Sequence, residues 1–275
     1  MDVNAAGHRL IASAANPVIK RAKSLRDKKF RRREGLFLAE GLRILTEAKD
    51  AGVLPQQLFY AQDRELHPLA DTLIAATMRA GGEVIATSEH ILARLSGKDN
   101  PQTVIGLYPD RLTPLSALDR TAAPIWLVVQ AMRDPGNLGT MLRTGDAVGA
   151  GGVILIDDCV DPFSVETVRA SMGALFTQAI VTTRWADFTA WLRIADGLLV
   201  GTSLAPGSAD YRAPDYPAPT FLLIGNEARG LPADYEAECD LRVRIPMLGK
   251  ADSLNAAVAA AIMAYAVLDR QQRSD

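Results

Sequence analysis

The sequence predicts an α/β protein with two domains, a small α/β domain followed by a larger one built on a parallel sheet. Short apolar runs alternate with helical patterns along the chain, as is typical of α/β domains. A polar, proline-bearing stretch interrupts this alternation at 110–123. The chain has 275 residues, enough for one large core or two modest ones. We therefore expect a first domain at 1–109, a linker at 110–123 and a second domain at 124–275.

The composition is that of an ordinary soluble globular protein, with 48% hydrophobic and 23% charged residues. No apolar run approaches the ~20 residues that span a bilayer, and the N-terminal segment lacks the apolar region of a signal peptide. Cys159 and Cys239 are too few for a disulfide framework and too far apart for a zinc site, so we expect reduced thiols. No His/Cys/Asp cluster has metal-ligand spacing. These features predict a cytoplasmic protein without a metal.

The first domain begins with a dense basic segment. Residues 20–33 contain nine Lys or Arg and one acid, Asp27, in a chain whose net charge is −2. Asn16 and Pro17 predict a helix start, as N-cap and first helical residue, and the helix is expected to run through this segment. Such a charge pattern predicts a contact with a polyanion, with a solvated helical face as the alternative. The cations expected to make that contact are Lys20, Arg21, Lys23, Lys28, Lys29, Arg31, Arg32 and Arg33.

The remaining elements are predicted from apolar periodicity and turn residues. In the first domain we expect strands at 36–40, 57–61, 83–87 and 103–109, with helices at 42–52, 67–80 and around 89–95. In the second domain we expect strands at 125–130, 153–156, 178–182, 198–202, 220–224 and 241–245. Its helices are predicted at 138–148, 164–174, 187–195 and 253–269. This order predicts a parallel sheet covered on both faces. The long loop at 201–219 is of a kind that is usually functional or mobile.

Polar residues follow the strand at 125–130, where α/β proteins place ligands. Asp134-Pro135-Gly136 is a turn signal, and Asn137 is expected to cap a helix from Leu138 to about Val148. Arg143 falls off the apolar face of that helix. Asn137 could be only a cap, and Arg143 only a surface arginine. A planar cation near a helix start, however, also suits a phosphate.

Two further loops have a similar character. FLLIGNEARGLP, at 221–232, is a buried strand that enters a turn containing Glu227, with Asn226 at a position where a positive φ is expected. IPMLGKADSLNAAVAAAIMAYAVL, at 245–268, leads through Ser253 and Asn255 into an alanine-rich helix, with Asp252 or Ser253 as the simple N-cap. Glu227 could be merely a solvated turn carboxylate. Neither a dinucleotide fingerprint nor a P-loop is present, and no histidine lies within these loops to serve a Ser-His-Asp hydrolase.

Together, PGNLGTMLRTGDAVGA, LIGNEARGL and IPMLGKADSLNAAVA resemble the three motifs of SpoU-type (TrmH-like) RNA 2′-O-ribose methyltransferases of the SPOUT superfamily. RASMGALF, at 169–176, is also similar to that family. The resemblance implies a deep trefoil knot with the last helix threaded through a loop, whereas pattern alone favours an unknotted order. The region from Leu10 to Ala48 resembles the L30e-like substrate-binding domain of this family. There, Glu40 with Gly41 either belongs to the family pattern or merely caps the next helix.

The resemblance implies S-adenosylmethionine as methyl donor, in a cleft formed here by Thr202, Leu204, Gly225, Ile245 and Leu254. A missing Cβ at Gly225 would let a ligand approach the backbone. The resemblance also makes Arg143 the catalytic arginine, with Asn137, Glu227, Ser253 and Asn255 positioned around it. Arginine is a demanding general base, because its pKa exceeds 12. We therefore favour a clamp on phosphate that also stabilises the developing alkoxide.

The resemblance favours ribosomal RNA over transfer RNA as substrate, because of the separate L30e-like domain. The alternative from another class is a non-catalytic RNA-binding or ribosome-assembly factor, and a base methyltransferase is a third possibility. A homodimer is expected from the family and from the small residues of 256–266, which permit close helix packing. The alternative is that this helix is buried wholly within its own subunit. The target nucleotide is not readable from the sequence.

Overall fold

A computed structural model describes residues 2–98 and 102–274. The chain forms two compact units. One consists of Met1–Asp110 together with Phe163–Thr177, and the other of Arg111–Pro162 together with Gln178–Asp275. Within the described residues, no helix is long and apolar enough to cross a membrane.

The first unit is a five-stranded mixed sheet flanked by helices. Its strands are β1 (Arg9–Leu10), β2 (Leu36–Glu40), β3 (Gln57–Ala61), β4 (Glu83–Thr87) and β5 (Val104–Pro109), in the order β1-β4-β3-β5-β2. The first three strands in that order run parallel, whereas β5 is antiparallel to both of its neighbours. The helices are α1 (Pro17–Ser24), α2 (Lys28–Glu34), α3 (Leu42–Asp50), α4 (Pro68–Arg79) and α5 (Glu89–Ser96). The elements predicted over 36–109 are present; β1 was not predicted.

The basic segment forms two short helices rather than the single predicted one. Asn16 caps α1 as expected, since its side chain accepts a hydrogen bond from Val18 N at 2.9 Å. The chain then turns at 25–27, and Asp27 caps α2 by accepting from Lys29 N at 2.7 Å. Leu25, between the helices, is fully buried. The break follows from Asp27, a good N-cap that satisfies the backbone of a new helix.

The segment Phe163–Thr177, which contains α7 (Val165–Ser171), belongs to the core of the first unit. Phe37 of β2 stacks on Phe163 at a centroid distance of 4.9 Å, and Val165 joins the buried apolar cluster. Arg169 forms an ion pair with Glu40, which is buried at the end of β2. Glu40 does not cap the next helix, because the N-cap of α3 is Gly41 with no side-chain bond. That alternative is therefore wrong.

The second unit is built on a seven-stranded sheet whose pairings are all parallel, as predicted. Its strands are β6 (Ile125–Gln130), β7 (Gly152–Ile156), β8 (Ala179–Thr183), β9 (Leu198–Thr202), β10 (Ala209–Asp210), β11 (Thr220–Ile224) and β12 (Leu241–Arg244). The order is β10-β12-β9-β11-β6-β7-β8. The helices are α6 (Pro135–Ala147), α8 (Trp185–Leu192), α9 (Ala233–Glu238) and α10 (Ala256–Ser274). The unpredicted β10 lies within the long loop at 201–219.

Helices α6 and α10 each start three residues away from the prediction. Helix α6 begins at Pro135, not Leu138, because Asp134 is its N-cap and accepts from Asn137 N at 2.7 Å. Asn137 therefore lies inside the first turn. Helix α10 begins at Ala256, where Asn255 Oδ1 accepts from Ala257 N at 2.9 Å, so neither Asp252 nor Ser253 is the cap. Both changes release an amide or hydroxyl group for other contacts.

Helix α10 packs against α6 and the sheet through its small residues. Ala257, Ala260 and Ala264 are buried there, together with Met263 and Val267. The opposite face is also apolar but open, with Val258 and Tyr265 about half exposed. The expected threading of this helix through a loop stays a prediction.

Candidate active site

Two neighbouring cavities lie at the carboxyl ends of β6, β9, β11 and β12. The first, which we call the cofactor cleft, has a volume of about 540 Å³. It is lined by the loops that follow β9, β11 and β12 and by the start of α10. All five residues predicted to bind cofactor are in its wall: Thr202, Leu204, Gly225, Ile245 and Leu254. Ligand sites are expected at this end of a parallel sheet.

The second cavity, which we call the polar pocket, has a volume of about 580 Å³. It is lined by Arg133, Asp134, Asn137, Ser253 and 254–256 together with the turn at 226–228. Glu227, Ser253 and Leu254 line both cavities. The polar pocket therefore adjoins the cofactor cleft along this shared edge.

A chain of hydrogen bonds connects three predicted catalytic residues. Asn255 uses its Oδ1 to cap α10, accepting from Ala257 N at 2.9 Å and Val258 N at 3.2 Å. Its Nδ2 then donates to Asn137 Oδ1 at 2.9 Å. Asn137 Nδ2 in turn donates to Glu227 Oε1 at 3.3 Å. Because the backbone fixes which end of Asn255 is the acceptor, the orientations of both amides follow.

The carboxylate of Glu227 faces the start of α6. Besides Asn137, it accepts from the backbone N–H of Asp134 at 3.2 Å and, over a long 3.5 Å, from that of Arg133. The side chain is exposed to the polar pocket. Asn226 Nδ2 also donates to Glu227 Oε2, at 3.4 Å. A carboxylate has about four acceptor sites, so all are engaged, but both donors to Oε2 stand at long distances of 3.4 and 3.5 Å and can give way to another donor.

The turn that carries Glu227 is held by its neighbour. Asn226 Nδ2 donates to Ala131 O at 2.8 Å, and its Oδ1 accepts from Ala228 N at 3.0 Å. The positive φ expected at Asn226 is absent; in this turn it falls on Gly230. Asn226 therefore stabilises the turn through the hydrogen bonds of its side chain.

Gly225 is required by the turn itself. A Cβ at this position would lie 2.4 Å from the carbonyl carbon of Gly230 and 2.6 Å from Leu231 N. Those atoms are backbone and have little freedom to move. The sequence suggested that a glycine is needed here so that a ligand can approach the backbone. The structure gives a first reason within the chain itself, because the backbone at 230–231 passes too close for a side chain.

Ser253 lies at the two cavities, whereas Arg143 lies away from both. Ser253 lines both cavities, and its Oγ donates to Asp252 Oδ1 at 3.3 Å. Arg143 is exposed on α6 and lines neither cavity of the described chain. Four of the five predicted catalytic residues therefore meet at the polar pocket, and Arg143 does not.

A family model described as the SpoU rRNA Methylase family matches residues 124–265, more than half of the chain. The chain belongs to the SpoU rRNA methylase family. A second model, the MRM3-like substrate binding domain, matches 16–106. The resemblance seen in the sequence is thereby confirmed for both regions.

Relatives of this SpoU methylase cover nearly the whole chain. The 23S rRNA (guanosine(2553)-2′-O)-methyltransferase RlmP of Bacillus subtilis is 32% identical, over 93% of this chain and 97% of its own. The 23S rRNA (uridine(2479)-2′-O)-methyltransferase of Streptomyces viridochromogenes is 35% identical, over 86% and 83%. Among solved structures, an AdoMet-bound rRNA methyltransferase from Sinorhizobium meliloti superposes with a TM-score of 0.87 at 40% identity, covering 94% and 97%.

The cofactor cleft of this SpoU methylase suits S-adenosylmethionine in size and chemistry. Its volume lies within the ~300–1,000 Å³ usual for ligand pockets. Ile224, Val243 and Met263 offer an apolar wall for a purine ring. Glu227 and Asp252 place carboxylates at the rim, where they would face the cationic sulfonium and ammonium groups of the ligand.

Sequence reasoning missed Arg133. It precedes Asp134, lines the polar pocket, and its Nη1 forms an ion pair with Asp158 Oδ2 at 2.7 Å. Hydrogen bonding to Asp158 raises the pKa of the guanidinium above its usual value. Its position directly before the turn Asp134-Pro135-Gly136 could have pointed to this arginine. The apolar periodicity of the sequence, however, does not distinguish it from a surface arginine.

The predicted RNA-binding cations divide into two groups. Lys20, Arg21, Lys23, Lys28, Lys29, Arg32 and Arg33 are exposed or half-buried on α1 and α2. Arg21 and Arg33 both pair with Glu34 and hold the pKa of that carboxyl below its usual value, Arg33 more strongly. Arg31 is buried, and its Nη1 donates to Leu25 O at 2.8 Å and Arg26 O at 2.7 Å. The prediction that Arg31 contacts RNA does not fit this position, because its guanidinium holds the turn between α1 and α2.

Proposed function

We propose that this SpoU methylase transfers a methyl group from S-adenosylmethionine to the 2′-hydroxyl of a ribose in ribosomal RNA. The observation that carries the proposal is the hydrogen-bonded series Asn255–Asn137–Glu227, which stands where the cofactor cleft adjoins the polar pocket. Methyl transfer needs two bound groups aligned across such a junction. The cytoplasmic location expected from the sequence remains part of this proposal.

Glu227 is the residue that orients the acceptor hydroxyl. Its carboxylate faces the polar pocket and is fixed by Asn137 and the start of α6, and its Oε2 accepts only the long contacts of 3.4 and 3.5 Å, which a hydroxyl donor can replace. A ribose 2′-hydroxyl that donates to Glu227 has a lone pair free to point toward the cofactor cleft. S-adenosylmethionine supplies the methyl group when bound there. Ser253, on the shared edge of the two cavities, is placed to contact either bound group.

Ribosomal RNA is the proposed substrate class because of the relatives and the first domain. Both curated relatives described above are named as enzymes that modify 23S rRNA at a ribose. The first domain matches a substrate-binding model and carries the exposed cations of α1 and α2. Such cations contact the phosphate backbone whatever the base sequence.

Arg143 lines neither the cofactor cleft nor the polar pocket of its own chain, and we propose that a second copy of the chain brings it to a polar pocket. Arg143 lies on the exposed side of α6, which packs beside α10. The outward face of α10 is apolar, through Val258, Ile262 and Tyr265. We propose that this face forms an isologous homodimer contact. The inward-facing alanines, which first suggested the dimer, pack within their own chain instead.

Complementation tests the dimer and its shared site together. Arg143→Ala and Glu227→Ala are each expected to abolish methyl transfer. Co-refolded mixtures are expected to regain part of the activity if one copy lends Arg143 to the pocket of the other. A monomer mass in light scattering, or a mixture that stays inactive, would contradict the proposal that two chains share the site.

The function itself is tested by cofactor binding and methyl incorporation. Calorimetry should show S-adenosylmethionine bound once per chain. Labelled methyl groups should enter purified ribosomal RNA and leave transfer RNA unlabelled. Labelled transfer RNA would change the substrate class. RNA binding without cofactor binding would favour a non-catalytic assembly factor.

A further inference from the structure

The polar pocket contains few cations for a site that must receive RNA. Among the described residues that line it, Arg133 is the only lysine or arginine, whereas Asp134 and Glu227 bring two carboxylates. Asp158, the ion-pair partner of Arg133, adds a third carboxylate beside them. RNA carries one negative charge per nucleotide, so a cation is needed where its backbone enters this pocket.

The main chain and side chain of Arg133 are held differently. Its backbone N–H points at Glu227 Oε2, at 3.5 Å. Its guanidinium lies outward against Asp158, in an ion pair whose side chains are 61% and 77% exposed. Ion pairs this exposed contribute little to stability. The guanidinium can therefore exchange Asp158 for another anion while the residue stays beside Glu227.

The structure of a nucleotide indicates which anion would lie beside the Arg133 guanidinium. In RNA the 2′-hydroxyl and the 3′-phosphodiester are on adjacent ribose carbons. A ribose whose 2′-hydroxyl reaches Glu227 therefore brings its own 3′-phosphodiester close to that carboxylate, where Arg133 is anchored. A guanidinium matches two phosphate oxygens with two parallel N–H donors.

We propose that Arg133 leaves Asp158 and binds the phosphodiester on the 3′ side of the ribose that is methylated. The inference rests on the proposed function, because Glu227 is taken as the ligand of the 2′-hydroxyl. Arg133 is then a substrate-binding residue that each pocket carries in its own chain, whether or not a second copy supplies Arg143. Asp158 is its resting partner in the absence of RNA.

The test compares Arg133→Ala and Asp158→Ala with a matched control, Arg273→Ala. Arg273 pairs with Asp269 at 3.0 Å in the same unit, with side chains 70% and 57% exposed, on the last turns of α10. The probe is ribosomal RNA purified from cells that lack the protein. RNA affinity is measured over a series of salt concentrations, and S-adenosylmethionine affinity by calorimetry.

Arg133→Ala should weaken RNA binding and reduce the slope of log affinity against log salt by about 1. Asp158→Ala should bind RNA at least as tightly as the wild type, because it frees the guanidinium. Arg273→Ala should keep the wild-type slope, and all variants should keep the cofactor affinity. Arg133→Lys should retain the slope but lose affinity, because it keeps the charge without the planar fork.

Two results would overturn the inference. One is an Arg133→Ala slope equal to those of the wild type and Arg273→Ala. The other is an Asp158→Ala variant that loses RNA affinity as much as Arg133→Ala does, since the ion pair itself would then be what RNA requires. A wild-type protein that transfers no methyl group would refute the proposed function separately, and the binding slopes would still decide on Arg133.

Discussion

Asn255 Nδ2 donates to Asn137 Oδ1 at 2.9 Å, across 118 residues of sequence. The same Asn255 caps α10 with its Oδ1. One side chain therefore begins the last helix and orients the amide that holds Glu227. Helix geometry at the end of the chain is thereby linked to the position of the proposed hydroxyl-binding carboxylate.

Substitutions at Asn255 should separate these two roles. Asn255→Ser keeps an N-cap acceptor but loses the amide donor to Asn137. We expect stability near that of the wild type and a loss of methyl transfer on the order of 10²-fold, as for a misplaced catalytic group. Asn255→Ala should lose similar activity and also about 1 kcal/mol of stability, because the cap is removed.

For each Asn255 variant, thermal unfolding measures the loss of stability and single-turnover methyl transfer measures the loss of activity. If the serine variant remains fully active, the bond to Asn137 is not needed to position Glu227. If the alanine variant is as stable as the wild type, the capping role is wrong.

Gly225→Ala should destabilise the second unit, because its Cβ would meet the backbone of Gly230 at 2.4 Å. Overpacking of this kind costs about 1–3 kcal/mol. S-adenosylmethionine affinity should fall with it, since the turn shapes the cofactor cleft. Gly249→Ala is the matched control, because a Cβ there meets nothing within 4 Å. Equal melting temperatures for both variants would show that the turn can accommodate the extra atom.

Arg31→Ala should lower stability and Arg32→Ala should lower RNA affinity, although the two residues are adjacent. Arg31 is buried and bonded to Leu25 O and Arg26 O, so its loss should cost roughly 1–3 kcal/mol of stability. Arg32 is exposed, so its loss should leave the melting temperature unchanged and lower the salt slope of RNA binding by about 1. The account fails here if Arg31→Ala weakens RNA binding without lowering stability.

Cys159 should resist alkylation in the native protein. Its thiol donates to Ile156 O at 3.3 Å, and burial raises its pKa to about 11. A raised pKa means that the reactive thiolate is suppressed well below pH 11 and increases only as the pH approaches that value. At pH 8, iodoacetamide should therefore modify Cys159 far more slowly than it does in the urea-unfolded chain. Equal rates would show that the thiol is accessible and ionised.

The strand and helix pattern predicted the parallel sheet, with polar loops at the ends of its strands. The family resemblance, not the pattern, implied that Asn137, Glu227 and Ser253 meet. The sequence did not predict which residue would cap α6, since Asp134 and Asn137 are both good N-caps and only the hydrogen bond to Asn137 N distinguishes them. Burial of Arg31 was equally unpredictable, because the sequence does not distinguish it from the exposed Lys and Arg residues of the same segment. The reason for Gly225 depends on Gly230, whose approach follows from the folded turn.

The central claim is that the methyl group is transferred to a ribose 2′-oxygen of ribosomal RNA under the control of Glu227. The most direct measurement is mass mapping of nucleotides in ribosomal RNA incubated with S-adenosylmethionine and either wild-type protein or Glu227→Ala. The account predicts one nucleotide that gains a methyl group, with a flanking bond that resists alkaline cleavage, and no such product from the variant. A methyl group on a base, or equal modification by Glu227→Ala, would contradict it.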